Sequence, residues 1–325
     1  MKKQLKTWEL ILESHRKKIP VMLLYVLESS GSSPGRQGFF MAVNEQGEME
    51  GSIGGGIMEH KFVEMAKEKL KDPGWGSLAT DVKKQIHDKS APKNQSGMIC
   101  SGEQTILLYA PHEKDIGQIK ALKASLSKRR NGTLTLSPGS IHFSDTIPAK
   151  DFHFIQEKED QWEYIEKTGY KNKLTIIGGG HCALALSDLM SSTDFYISVF
   201  DDRKGLKTMQ ENGSAHEKHI IDNFAALENI IVAGPGHYVV IMTFGYRTDD
   251  EALRAILKKE FAYLGLLGSR AKIEKMFATY RNEGVPEDQL AHIHTPIGIP
   301  IKSQTPEEIA ISIAAEIIKV KNGKL

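Results

Sequence analysis

One stretch of the 325-residue chain constrains its fold more than any other, the segment LTIIGGGHCALA at 174–185. Its first four residues, Leu174 to Ile177, predict a buried parallel strand. Gly178, Gly180 and Ala183 then fit the G-x-G-x-x-G/A pattern of dinucleotide-binding turns. In that pattern the first glycine permits a tight turn and the second lets a pyrophosphate approach the backbone. The third small residue lets the next helix pack close to the strand.

The surroundings of this turn also fit a Rossmann-like domain. The segment 196–200 predicts the next strand, which ends at Asp201. This aspartate lies about 20 residues after the glycines, where a ribose-binding carboxylate is expected. The helix that starts near His181 would present N–H groups and the positive end of its dipole to an anion. Asp201 favours NAD over NADP, although Arg203 nearby could invert that preference. A doubly wound domain whose turn binds nothing is the alternative.

The fold class that we predict is α/β, with a Rossmann-like doubly wound parallel sheet over 171–325 and an α+β domain over 1–170. In the C-terminal domain, strands and helices alternate up to a last helix that starts with a capping box at Thr305. Ser269 is expected to cap a helix at the ligand-binding edge of the sheet, with Arg270 beside it as an anion contact. An ordinary cap followed by a surface arginine is equally consistent with the sequence.

The N-terminal domain is expected to start with an amphipathic helix and to end in a small β-rich extension at about 130–168. The segment 29–38 is rich in small residues and predicts a loop, and 73–97 predicts a mobile or partly ordered loop. The domain boundary is expected near 169–173.

Two glycine- and serine-rich segments of this domain are candidates for anion binding. Gly54, Gly55 and Gly56 precede a helix and form a candidate anion cradle, or only a strand-to-helix turn. Ser33 and Arg36 supply a hydroxyl and a guanidinium that suit a phosphate or a polar ring, or they lie in a flexible connection.

Cys100 lies in a turn of small residues and is the candidate ligand for a soft metal, because a thiolate matches a thiophilic centre. A buried, unreactive thiol is the alternative. Cys182, in the first turn of the Rossmann helix, is interpreted as a packing residue.

Composition excludes several classes of protein. A formal net charge of +1 argues against electrostatic nucleic-acid binding, and no apolar run approaches the length of a membrane span. The N-terminus lacks the apolar core of a signal peptide, and two cysteines imply no disulfide framework, so we expect a cytoplasmic protein. No H-E-x-x-H or C-x-x-C motif occurs, which argues against zinc chemistry.

Taken together, these motifs resemble the XdhC/CoxI family of xanthine dehydrogenase accessory proteins. The resemblance runs over nearly the whole chain, and its most specific parts are two runs. They are Gly51-Ser52-Ile53-Gly54-Gly55-Gly56 with Glu59, and Thr305-Pro306-Glu307-Glu308-Ile309-Ala310. Two departures are visible: the family often has Cys-Gly-Gly at Cys100-Ser101-Gly102, and Thr-His-Asp at Thr243-Phe244-Gly245.

The resemblance implies a chaperone for molybdenum hydroxylases rather than a catalyst. Such a protein would bind molybdenum cofactor (molybdopterin), protect it during sulfuration and deliver it to the apo-enzyme. Its expected partners are the hydroxylase client, a sulfur-donating cysteine desulfurase and a second copy of itself. The rival hypotheses are an NAD(P)-dependent oxidoreductase and a regulatory module that senses a nucleotide.

Overall fold

The computed structural model describes residues 2–72, 80–86 and 102–323. The chain forms two compact units, 1–169 and 170–325. The first unit carries antiparallel sheets and the second a six-stranded parallel sheet, which confirms the predicted α/β class. Within the described ranges, every helix is too short or too polar to cross a membrane.

The first unit is built around a five-stranded antiparallel sheet with the order β3-β2-β1-β5-β4. Its elements are α1 (Lys2–Arg16), β1 (Val21–Gly31), β2 (Phe40–Asn44), β3 (Met49–Gly51), α2 (Gly56–Lys71), β4 (Thr80–Ile86), β5 (Gly102–Tyr109) and α3 (Glu113–Ser127). Residues 21–27 of the central strand β1 are all buried. Alternate side chains of β1 enter two separate cores, one with α1 and α3 and the other with α2.

A second sheet completes this unit, with the order β7-β6-β9-β8. Its strands are β6 (Gly132–Ser137), β7 (Ser140–Ser144), β8 (Phe152–Lys158) and β9 (Gln161–Thr168). Leu134, Trp162 and Tyr164 of this sheet pack into the same core as Trp8 of α1. The β-rich extension therefore shares its hydrophobic core with the rest of the first unit.

Two loops expected from the sequence are partly strands. Ser29 and Ser30 continue β1 and pair with Gln104 and Glu103 of β5, so the prediction of a loop from residue 29 was wrong for 29–31. Likewise, 80–86 form the edge strand β4, where Lys83 and Lys84 are exposed. Exposed serines and edge lysines break the apolar alternation that marks a strand, which is why the pattern failed here.

The second unit is doubly wound, with six parallel strands in the order β12-β11-β10-β13-β14-β15. The strands are β10 (Asn172–Ile177), β11 (Phe195–Asp201), β12 (Glu217–Ile220), β13 (Gly234–Ile241), β14 (Phe261–Leu266) and β15 (Ile293–His294). The helices are α4 (His181–Met190), α5 (Lys207–Glu211), α6 (Leu227–Ile230), α7 (Tyr246–Ile256), α8 (Arg270–Asn282), α9 (Glu287–Ala291) and α10 (Pro306–Asn322). α4 and α10 cover one face, and α7 and α8 the other.

The chain order places the topological switch point between β10 and β13, since the chain leaves β10 in one direction and returns on its other side at β13. Ligands of open α/β sheets bind at the carboxyl ends of the strands beside such a point.

The last helix, α10, begins with the predicted capping box. Thr305 Oγ1 accepts a hydrogen bond from the N–H of Glu308, and the Glu308 carboxylate accepts one from the N–H of Thr305.

We predict that Gly54→Ala destabilises the first unit by at least about 2 kcal/mol, because Gly54 has φ +131° and an added Cβ would lie 2.4 Å from the backbone nitrogen of Gly35. All three tryptophans lie in this unit, so urea unfolding followed by tryptophan fluorescence measures it alone. Gly117→Ala, in the open on α3, is the control and should stabilise by about 1 kcal/mol. Equal midpoints for the two variants would contradict the packing described here.

Candidate functional site

The glycine turn after β10 lies at the switch point and packs against the chain that follows β13. Gly178 has φ +107°, and a Cβ there would lie 2.3 Å from the carbonyl oxygen of Met242. Only glycine fits this position. Ala183, which is 1% exposed, lets α4 pack closely, as the fingerprint predicts.

Gly180 is different, because nothing in the chain requires glycine there. It is the N-cap of α4 with φ −73°, a backbone conformation that any residue adopts, and a Cβ would meet no atom within 4 Å. The space beside its backbone is open, next to a helix terminus whose first N–H groups lack intrahelical partners. His181, the first residue of the helix, is exposed. The turn therefore has room for an anionic group to approach the main chain.

Asp201 ends β11 and is 1% exposed. Its Oδ2 accepts hydrogen bonds from the N–H of Gly179 at 2.6 Å and from Arg203 Nη2 at 2.7 Å. Its Oδ1 accepts bonds from the N–H and the Nε of Arg203, each at 2.9 Å. Burial alone would raise the pKa of Asp201, but the bonds from Arg203 and Gly179 outweigh burial, so the pKa lies below its usual value.

Arg203 connects the ends of two strands. Besides its two-point contact with Asp201, its guanidinium carbon lies 5.0 Å from the centre of the Phe244 ring, in a cation–π contact. Phe244 follows β13 and is 66% exposed. Because β10 lies between β11 and β13, this contact crosses the end of the strand that carries the glycine turn.

An ion pair with a buried carboxylate supports the other side of the switch point. Asp249, in the first turn of α7, is fully buried, and its Oδ1 accepts bonds from the N–H and the hydroxyl of Thr243. Its Oδ2 pairs with Lys272 of α8. This arrangement fixes the loop that carries Phe244 to two helices.

Ser269 and Arg270, which were also predicted at this edge, follow β14, the strand on the far side of β13 from β10. Ser269 is the N-cap of α8, and its hydroxyl accepts a hydrogen bond from the N–H of Lys272. Arg270 is exposed at the start of α8. β13 separates β14 from β10, so the ends of β10 and β14 are roughly 10 Å apart. Ser269 therefore has the capping role, while an anion contact by Arg270 stays a prediction.

In the first unit, the motifs of the N-terminal half converge. A Cβ on Gly54 would overlap the backbone of Pro34 and Gly35, and a Cβ on Gly102 would overlap the backbone of residues 30–33. The buried Gln104 side chain donates to the carbonyls of Gly35 and Ile53 and so joins two of these segments. Three segments far apart in the sequence thus meet backbone to backbone.

Ser33 and Arg36 belong to this convergence. Ser33 is buried, and its hydroxyl donates to the carbonyl of Gly35. Arg36 is exposed and donates to the carbonyl of Gly31 at 2.9 Å. Both side chains therefore stabilise the 31–36 turn through hydrogen bonds to its carbonyl groups.

The candidate cradle at Gly54, Gly55 and Gly56 already holds an anion that belongs to the chain. Glu59 Oε2 accepts hydrogen bonds from the N–H of Ile53 at 2.9 Å, the N–H of Gly55 at 3.0 Å and the hydroxyl of Ser52 at 2.7 Å. The N–H of Gly54 is bonded to Ser52 Oγ. An external phosphate would have to displace the Glu59 carboxylate to use these groups.

Cys100 lies outside the described residues, so its role as a metal ligand stays a prediction. Cys182 is half-buried, and burial raises the pKa of its thiol, as expected of a packing residue. In the part of the chain that the structure describes, His, Cys, Asp and Glu side chains form no group of three or more that could hold a metal ion.

Several residues of these arrangements carry no signal in the sequence. Lys272 is one of many helical lysines, and Gln104 is one residue of an apolar strand; both act through contacts that are distant in the chain. Gly179 occupies a position that the fingerprint leaves free. It is constrained nonetheless, since a Cβ there would lie 2.4 Å from Met209 Cγ.

The sequence matches known protein families in both units. The XdhC Rossmann domain matches residues 174–317, and the XdhC and CoxI family matches residues 14–76. The chain belongs to the XdhC and CoxI family. The resemblance seen in the sequence is thereby confirmed.

Individual relatives match over different lengths. The uncharacterized protein YqeB of Escherichia coli (strain K12) is 26% identical over 307 residues, which are 94% of this chain and 44% of YqeB. A probable xanthine dehydrogenase subunit of Bacillus subtilis (strain 168) is 24% identical over 164 residues, 49% of this chain and 46% of that protein. The matches thus span less than half the length of each relative.

A solved structure has the same fold. The crystal structure of a xanthine dehydrogenase from Bacillus halodurans covers 98% of this chain, and the match covers 96% of that chain. The TM-score is 0.70 at 23% sequence identity. This likeness supports the architecture described above.

We predict that Lys272→Met destabilises the second unit by about 3 kcal/mol, because it leaves the Asp249 carboxylate buried without its cation. Lys275→Met is the control, because it removes a charge from the same helix. The Lys275 ammonium has a weak cation–π contact, 5.8 Å from the Tyr246 ring centre, so this variant should change stability by less than about 1 kcal/mol. Urea unfolding followed by circular dichroism compares them. An unchanged unfolding midpoint in Lys272→Met would show that the ion pair between Asp249 and Lys272 does not hold the loop.

Proposed function

We propose that this chain is a cytoplasmic accessory protein that binds molybdenum cofactor and delivers it to an apo molybdenum hydroxylase, with an adenine nucleotide bound at its Rossmann turn. Family membership supports the accessory role. The name of the Bacillus subtilis relative, a probable xanthine dehydrogenase subunit, supports a hydroxylase of the xanthine dehydrogenase type as the client. The proposed role consists of binding and transfer, and it assigns no catalytic residue.

One observation carries the nucleotide part of this proposal, the open space beside Gly180 at the switch point. Gly178 and Gly179 are explained by close contacts within the chain, but Gly180 is not. At the second glycine of the fingerprint, directly before a helix N-terminus, such an open position fits a group from outside that comes close to the main chain. A phosphate at the N-terminus of α4 is such a group.

The cofactor part depends on different residues. The Gly54–Gly56 turn, as it stands, does not fit the phosphate of a molybdopterin, because Glu59 takes the N–H of Gly55 and Ser52 Oγ takes the N–H of Gly54. Cys100 is the proposed molybdenum ligand on the strength of the family resemblance and of thiolate chemistry. The two described motifs that precede it in the chain, around Gly35 and Gly54, then serve as a scaffold.

The proposed partners are a molybdenum hydroxylase, a cysteine desulfurase that donates sulfur, and a second copy of the chain. Co-purification from a host that makes a molybdenum hydroxylase tests the first two. Sedimentation across a range of concentrations tests the dimer, and a monomer at every concentration would remove it from the proposal.

For the nucleotide, we predict that Gly180→Val abolishes binding of NAD, NADP, ATP or AMP in calorimetry while the thermal unfolding temperature stays within a few degrees. The side chain has room and its backbone conformation is unstrained, so only the space for the ligand is lost. Gly213→Val, an equally open glycine between α5 and β12, is the control and should keep binding. Failure of the wild-type protein to bind any of these nucleotides would count against the nucleotide site.

For the cofactor, we predict that Cys100→Ala loses molybdenum cofactor on purification but keeps its fold and its nucleotide binding. The variant lacks the soft ligand, whereas the second unit is unchanged. Cys182→Ala is the matched control and should retain the cofactor, because that thiol is half-buried and its pKa is raised. Equal molybdenum content in wild type and Cys100→Ala, measured by elemental analysis, would refute the role of Cys100.

A further inference from the structure

Hydrogen bonds within the chain use all the acceptor sites of the Asp201 carboxylate, which at this position usually binds a ribose hydroxyl. A carboxylate has two oxygens with about four lone-pair sites. Four donors from Gly179 and Arg203 already occupy them. A free ribose 2′-hydroxyl would have to displace one of these donors before it could bond to Asp201.

Arg203, by contrast, is held in place with donors to spare. Its Nε and one Nη2 hydrogen are bonded to Asp201, which leaves three of its five N–H hydrogens. The side chain is 35% exposed. The carboxylate on one side and the Phe244 ring on the other fix the guanidinium, so little conformational entropy is lost when an anion binds.

Basic side chains outnumber acidic ones by one in the segment around Arg203. Residues 201–207 read DDRKGLK, with two acidic and three basic side chains. The Asp201 carboxylate is neutralised by Arg203, and Lys204 beside it is exposed. A phosphate monoester approaching Arg203 thus meets a cation whose counter-ion is buried behind it.

We propose that the Rossmann turn selects adenosine nucleotides that carry a phosphate on the ribose 2′-oxygen, and that Arg203 is the specificity-determining residue. The acidic residue after the second strand marks the place of the ribose 2′ position, and here Arg203 covers it. Its unused N–H groups bind phosphate oxygens by charge-assisted hydrogen bonds. This inference rests on the proposed nucleotide binding and reverses the preference for NAD that Asp201 alone would give.

The test compares two ligands of equal composition on the full chain, 2′,5′-ADP and 5′-ADP, by isothermal titration calorimetry. The wild-type protein should bind 2′,5′-ADP at least tenfold more tightly. Arg203→Ala should lose that preference, because it removes the phosphate donors and frees Asp201 for the 2′-hydroxyl of 5′-ADP. Arg281→Ala removes a charge at the far end of α8, where Arg281 pairs with Glu287, and should keep the preference.

Two more variants keep the test decisive. Arg203→Lys preserves the charge but not the two-point contact, so it reports on selectivity even if Arg203→Ala fails to fold; we expect a loss of at least threefold in preference. Phe244→Ala removes the ring that holds the guanidinium and should weaken 2′,5′-ADP binding about threefold.

The outcomes separate this inference from the proposal beneath it. Equal affinity for both ligands, or tighter binding of 5′-ADP, overturns the selectivity but leaves nucleotide binding in place. An unchanged preference in Arg203→Ala or Arg203→Lys overturns the assignment of Arg203. No heat with either ligand overturns the nucleotide site itself and this inference with it.

Discussion

The hydrogen bond from the N–H of Gly179 to the Asp201 carboxylate is the contact on which the edge of the second unit depends. It ties the turn after β10 to the end of β11, and the same carboxylate then orients Arg203. Arg203 in turn contacts Phe244 after β13. One buried carboxylate therefore sets the relative positions of three strand ends, and its bonds to charged and backbone donors make it costly to remove.

In the first unit, distant segments are also held together, but mainly through contacts between main-chain atoms. Its motifs contain glycine at Gly35, Gly54 and Gly102 because the segments touch through main-chain atoms, where a Cβ would have no space. Buried side-chain donors such as Gln104 Nε2 then satisfy the carbonyls that this packing removes from water. Contacts between main-chain atoms dominate where the segments of the first unit meet, whereas the switch point of the second unit combines a steric requirement at Gly178 with side-chain electrostatics.

Much of the fold could be predicted because its signals are local. The strand, glycine turn and helix at 174–185, the capping box at Thr305 and the alternation of strands and helices each depend on a few neighbouring residues. β4 escaped prediction because an edge strand with exposed lysines has no apolar alternation. The site was harder, since its decisive features are pairings between distant residues: Asp249 with Lys272, and Arg203 with Phe244. The sequence shows that these side chains exist but not which of them meet.

The Glu59 carboxylate has a consequence for how the first unit responds to its surroundings. It lies four residues from Gly55 and is tethered on α2, so its effective concentration at the glycine turn is that of an intramolecular ligand, on the order of millimolar or higher. Free phosphate and other small anions compete with it on unequal terms. The turn is therefore self-ligated, and its shape depends on the folding of α2 rather than on the supply of an external anion.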